Sequence, residues 1–174
     1  MASNMTNNTR LRVAHLNANR ATPFTLKPDA DARAALANEL DLSALPELSF
    51  SGEVRPSMND SWELTGRLSA RLTQPCIVTL APVTTRVAED VHRLFSPYAT
   101  TPEGEEVEMP DEDIEPLGQF IDLAQVMTEA LALAIPLYPR AEGAELDETP
   151  EADEPTETRR PFAGLADLMS KKTN

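Results

Sequence analysis

The chain has 174 residues, 41% of them hydrophobic, with one Cys, two His and a net charge of −14. That length suits one domain with tails, the single thiol excludes an internal disulfide, and no run approaches the ~20 apolar residues of a membrane helix. The charge is uneven. Residues 1–99 hold ten basic and ten acidic side chains, residues 100–158 hold eighteen acids against Arg140 alone, and residues 159–174 are basic except for Asp167. Such an excess of acid repels phosphate backbones at long range and speaks against a simple nucleic-acid binder. The balanced first half still leaves room for a local basic face. The acidic runs either solvate flexible segments, shield against or imitate nucleic acid, or engage a basic protein. The polar start, MASNMTNNTRLRVAHLN, has no apolar signal-peptide core. With the lone Cys this predicts a cytoplasmic protein.

In chain order, residues 1–9 are polar and expected to be disordered. LRVAHLN, residues 11–17, alternates weakly and is expected as a strand. Asp29 or Asp31 caps a helix whose narrow face is Ala32, Ala35, Leu36, Glu39 and Leu40, with Pro46 after its end. ELSFSGEVRP, residues 47–56, then alternates. SMND, residues 57–60, is a turn. In the next strand Trp62, Leu64, Gly66, Leu68, Ala70 and Leu72 share one face, and Glu63, Thr65, Arg67, Ser69 and Arg71 the other. Gln74-Pro75 is expected to break or bulge the ladder. CIVTL, residues 76–80, is expected as a short buried strand that ends at Ala81-Pro82. Residues 84–95 fit both periods: Val87, Val91, Leu94 and Phe95 suit a helix, while Val87, Val91 and Phe95 also suit a strand in which Glu89 and Arg93 are exceptions.

Residues 100–115 are read as an acidic loop with eight acids and no base. Asp122 then caps the main helix, with Gln125 three positions on as a capping box and Ile121 poised to staple onto Val126. Leu123, Val126, Met127, Ala130, Leu131, Ala134 and Ile135 form its apolar face, which is core patterning rather than a cofactor box. PLYPR, residues 136–140, is a stiff extended segment. Residues 141–158 read as an acidic linker. In 159–174, Phe162, Leu165, Leu168 and Met169 line one side of a short helix flanked by Arg159, Arg160, Lys171 and Lys172. That apolar-basic segment either docks on a partner or folds back on its own domain.

The fold class expected is α+β: an antiparallel meander of about four to six strands, an N-terminal helix, and one main amphipathic helix on the sheet. The ordered domain is placed at 10–140. No catalytic constellation stands out. His15 and His92 lie in no recognisable motif, and Cys76 sits among apolar residues where a thiol is usually inert. One Cys and two distant His do not make a zinc site, and no phosphate-binding Gly loop is present. Neither an enzyme nor a cofactor or metal is expected.

Three segments in order carry a family resemblance. RLSARLTQPCIVTLAPV, residues 67–83, resembles a strand pair ending in a Cys, then a short strand and "PV". IDLAQVMTEALALAIPLYPR, residues 121–140, resembles a helix that begins "iDL" and ends in prolines. RPFAGLADLMSKK, residues 160–172, resembles an "NPFa.L..Lk" ending. Together they are similar to the bacterial YceD family, the large ribosomal RNA subunit accumulation proteins. Where many members have C-x-x-C, this chain has Thr73 and Cys76, a departure that removes one metal-binding thiol. The resemblance implies a cytosolic, non-enzymatic factor for processing, stability or assembly of large-subunit ribosomal RNA. On that view Arg67, Arg71 and Arg86 are expected to touch RNA or a ribosomal protein. The alternative is an acidic adaptor unrelated to ribosomes that docks through Arg159, Arg160, Phe162, Leu165 and Leu168. No membrane contact is expected.

Overall fold

The computed structural model describes residues 9–99 and 114–145. They belong, but for Glu145, to a compact unit comprising Met1–Ala144; Glu145–Asn174 form a second unit. The architecture is α+β. β1 (Arg10–Arg12) pairs antiparallel with β7 (Phe120–Asp122). A five-stranded sheet runs β2 (Thr22–Leu26), β3 (Ala44–Pro56), β4 (Trp62–Pro75), β5 (Pro82–Ser96), β6 (Ile114–Pro116) in spatial order. Its pairs are antiparallel except for β5 with β6, which is parallel. Two helices, α1 (Ala30–Glu39) and α2 (Leu123–Ala134), complete the described unit. The two-faced alternation of β3 and β4 is what makes this sheet. Phe50, Val54, Leu64, Leu68 and Leu72 are fully buried on the inner face and join one core with Leu123, Val126, Met127, Ala130 and Leu131 of α2. Each large aliphatic side chain so removed from water contributes about 1.5–3 kcal/mol.

The long hairpins are fixed by their turns. Between β3 and β4, Asn59 (φ 56°) and Asp60 (φ 55°) both lie in the left-handed region. Asn and Asp tolerate that region well, and this geometry matches the twist of paired strands. Between β4 and β5 the last pair in the ladder is Pro75 opposite Pro82. Neither proline has an N–H to donate, so the ladder stops there.

Several sequence expectations change for local reasons. CIVTL is the β4–β5 turn, not a strand: Cys76 N–H donates to the Ala81 carbonyl (2.8 Å), and Leu80 N–H to the Cys76 carbonyl (3.0 Å). Gln74-Pro75 does not interrupt β4; the irregularity lies in β3 between Ala44 and Glu47, where Pro46 sits. Residues 84–95 are strand, since β5 pairs with β4 along its whole length. The expected strand at 11–17 ends at Arg12 and continues as a single 3-10 turn, Val13–His15. Strand β2 had no sequence signal strong enough to be read. Ile114 and Glu115, assigned to the acidic loop, belong to β6. The expected disorder at 1–8 and the rest of that loop lie outside the described residues, as does most of the 141–158 linker.

The helices start as their caps dictate. Asp29, not Asp31, caps α1 by accepting from Ala32 N–H at 2.9 Å. The helix is packed lightly: Leu36 and Ala37 are buried while Ala32 and Ala35 stay exposed. Its end is closed by Asp41 in the left-handed region (φ 53°) and by Leu42 N–H reaching the Ala37 carbonyl at 2.8 Å, a Schellman-type stop. Asp122 caps α2, accepting from Ala124 (3.1 Å) and Gln125 (3.2 Å). The Gln125 side chain does not return the bond as a capping box would; it donates to Glu129 at 2.9 Å.

Candidate partner-binding site

The inner sheet face is filled by the helices, so contact surfaces must come from the outer face and the hairpin ends. On the outer face, neighbouring strands bring charges into register. Arg67 pairs with Asp90 at 2.8 Å, Arg71 with Glu47 at 2.8 Å, and His92 with Glu63 at 2.8 Å. Arg55 pairs with Glu53 on β3. Arg67, Arg71 and Arg86 therefore do share one face, as their alternation requires. They differ in freedom. Arg86 lies directly opposite Arg71 in the β4–β5 ladder, is exposed, and has no carboxylate partner among the described residues. The Nε of Arg71 is buried with no hydrogen-bond partner. Like charges opposite one another repel. An anion held by the exposed Arg86 guanidinium would offset that repulsion. Beside them the Thr73 and Thr84 hydroxyls lie 3.1 Å apart. Arg159, Arg160, Phe162, Leu165 and Leu168 lie outside the described residues.

Cys76 has a defined task. It is fully buried, and its Sγ accepts backbone N–H groups of Val78 (3.4 Å), Thr79 (3.4 Å) and Ala141 (3.3 Å). The Thr79 hydroxyl, then the Ala141 and Thr79 N–H groups, hold the thiol below its ordinary pKa; burial opposes them. Thr73, at the position of a first cysteine in C-x-x-C, is engaged with Thr84 instead. Thr73 and Cys76 are thus each committed to protein partners and do not form a chelating pair. Among the described residues no three His, Cys, Asp or Glu side chains gather as a metal site.

The residues after α2 form a strap across this turn. The Pro136 carbonyl accepts from Gln74 Nε2 (3.2 Å), the buried Pro139 carbonyl accepts from Ile77 N–H (3.0 Å), and Ala141 binds the thiol. Sequence reading noted PLYPR as stiff but missed that it seats on the hairpin end. The only hint was the pair of prolines enclosing Leu137 and Tyr138.

Among the described residues the molecule is thus a mixed-sheet α+β scaffold with a partly paired arginine face and a strapped hairpin end, and no described helix is long and apolar enough to cross a membrane. The model of the family described as large ribosomal RNA subunit accumulation protein YceD matches residues 64–169, more than half of the chain. The chain belongs to the YceD family. The match begins in β4 and includes β5, β6, β7, α2 and the strap. No curated protein and no solved structure matches the chain.

Proposed function

We propose that this protein is a non-enzymatic, cytoplasmic accessory factor in ribosome biogenesis that promotes accumulation of large-subunit ribosomal RNA during its processing or assembly. Family membership supports the ribosomal part of this reading. The observation that carries the mode of action is the Arg71–Arg86 pair on the outer sheet face. The two arginines stand opposite one another in the ladder with one carboxylate between them, Glu47 on Arg71, and Arg86 is left exposed without one among the described residues. That arrangement suits a phosphate oxygen of RNA, which takes planar, forked donors well. The acidic runs oppose loose attachment, so binding is confined to sites where this face meets the backbone directly.

The test is titration of the full chain into a labelled large-subunit RNA fragment at several salt concentrations. Wild-type binding weakens as salt rises. The Arg71→Gln/Arg86→Gln variant binds more weakly, and its salt slope is shallower by about one for each phosphate it no longer neutralises. Identical slopes for the two proteins sink the arginine assignment.

A further inference from the structure

The five-stranded sheet has a long open edge. Beyond β5 only β6 continues it, and β6 pairs with Leu94, Phe95 and Ser96 alone. The Ser96 carbonyl accepts Leu117 N–H at 2.9 Å, so Ser96 turns its backbone groups toward that edge. β5 pairs with β4 from Pro82 to Phe95 without a shift in register. The alternation therefore carries back unbroken, and Thr84, Arg86, Ala88, Asp90 and His92 also aim N–H and C=O outward. The His92 carbonyl is taken by the Arg93 guanidinium at 2.9 Å. From Thr84 to Asp90 no described strand pairs with this edge, and the outward-aimed residues Thr84, Arg86, Ala88 and Asp90 are exposed. Such a row of open donors and acceptors is a template for one more strand. Beneath it a groove of about 330 Å³ runs between β5 and α2, lined by Glu89, Val91, Arg93, Ala130, Leu133 and Ala134. It leaves room for the inner-face side chains of an added strand.

The charges along the edge select the occupant. Two copies related by a two-fold axis pair antiparallel, and the position of the axis fixes which residues meet. With the axis at Ala88, Arg86 of each copy falls opposite Asp90 of the other, and the small Ala88 side chains meet on the axis. An axis at Arg86 would oppose like guanidiniums, one at Glu89 or Asp90 like carboxylates, and one at Val87 would match no charges. Unlike charges directly across a strand pair stabilise it, and like charges destabilise it. Asp90 bonds Arg67 through Oδ1 and leaves Oδ2 for the new contact. The same register lays Thr85 and Val87 of one copy beside Val91 and Glu89 of the other, over the groove; in the single chain both Thr85 and Val87 are only half-buried. Glu89, a charge on the inner side of the edge, deters indiscriminate strand addition, so complementarity is left to choose the partner. We propose that β5 pairs edge to edge with β5 of a second copy about a two-fold axis at Ala88, joining the two sheets into one. The pairing does not depend on the ribosomal reading. It accommodates it, because an axis normal to the sheet brings both arginine faces to the same side, and a guanidinium with five donors keeps some of them beside a facing carboxylate.

The test is sedimentation velocity of the full chain from about 1 to about 200 µM, since a contact of one strand pair is smaller than a stable interface and predicts a dimer in the micromolar range. Ala88→Pro removes an outward N–H that no described strand uses in the single chain. It should unfold at nearly the wild-type temperature at low concentration and stay monomeric throughout. Arg86→Asp and Asp90→Arg each set like charges opposite one another at both ends of the pairing, and each alone should dimerise about tenfold more weakly or worse. Mixed in equal amounts, the two variants regain both opposite-charge pairs and should form a heterodimer about as tight as the wild-type dimer. Neither a structural role for these residues nor another register produces that rescue. Wild type that stays monomeric at the highest concentration overturns the proposal, as does a dimer that survives Ala88→Pro. A mixture that associates no more tightly than its components overturns the axis at Ala88.

Discussion

At the residue scale, Cys76 and Asp122 show side chains whose value lies in the backbone groups they satisfy. The Cys76 sulfur serves two N–H groups of its own turn and one of the strap. Cys76→Ala removes the acceptor and leaves donors unpaired, which costs about 1–3 kcal/mol. Cys76→Ser keeps an acceptor and should lose less. Urea unfolding of the two variants measures the difference, and equal losses would reduce the residue to a packing role. For Asp122, partial burial raises the carboxyl's pKa, but the Arg10 guanidinium at 2.6 Å and the N–H groups of Gln125 and Ala124 outweigh it and hold it below its usual value. A carboxyl depressed on folding adds stability that is complete above the unfolded pKa of about 3.9 and is lost as pH falls through the lower folded value. Asp122→Asn retains the cap but not the ionisation. Its stability should therefore fall less than wild type's over that acid window, as followed by unfolding at each pH.

At the element scale, the β3–β4 hairpin depends on a close approach of its backbones. Gly52 pairs with Gly66. A Cβ on Gly52 would lie 2.5 Å from the Gly66 Cα, with the Thr65 carbonyl oxygen nearer still. A Cβ on Gly66 would lie 2.7 Å from Cε2 of Phe50, whose ring packs on Phe24 at 5.0 Å between centroids. Gly52→Ala meets backbone and should cost about 3 kcal/mol or more, beyond the usual range for overpacking. Gly66→Ala presses chiefly on the buried Phe50 ring rather than on backbone at under 3 Å and should cost less. Thermal unfolding of the pair ranks them; equal effects would mean the strands can separate. Much of this element was legible in the sequence, because Trp62, Leu64, Leu68 and Leu72 alternate without exception. The main helix was legible from Asp122 and its 3.6-residue spacing. CIVTL was misread because a turn stabilised through a sulfur acceptor leaves an apolar run that looks like a strand. β6 and β7 were missed because three residues carry no period.

On the scale of the whole molecule, the sequence placed Arg67, Arg71 and Arg86 on one face but could not say which of them already had carboxylates. Asp90 and Glu47 come from neighbouring strands, and only the register shows that Arg86 has none among the described residues. The strapped hairpin end was invisible for a similar reason, since it joins residues about sixty positions apart. Family membership points to large-subunit ribosomal RNA accumulation, and the arginine face is the working surface proposed for it. The most direct test is the ratio of large- to small-subunit ribosomal RNA in cells depleted of the protein and rescued with wild type or with Arg71→Gln/Arg86→Gln. The ratio should fall on depletion, recover with wild type, and stay low with the folded double variant. A ratio unchanged by depletion would contradict the ribosomal role itself, and full rescue by the double variant would contradict the arginine face as its working surface.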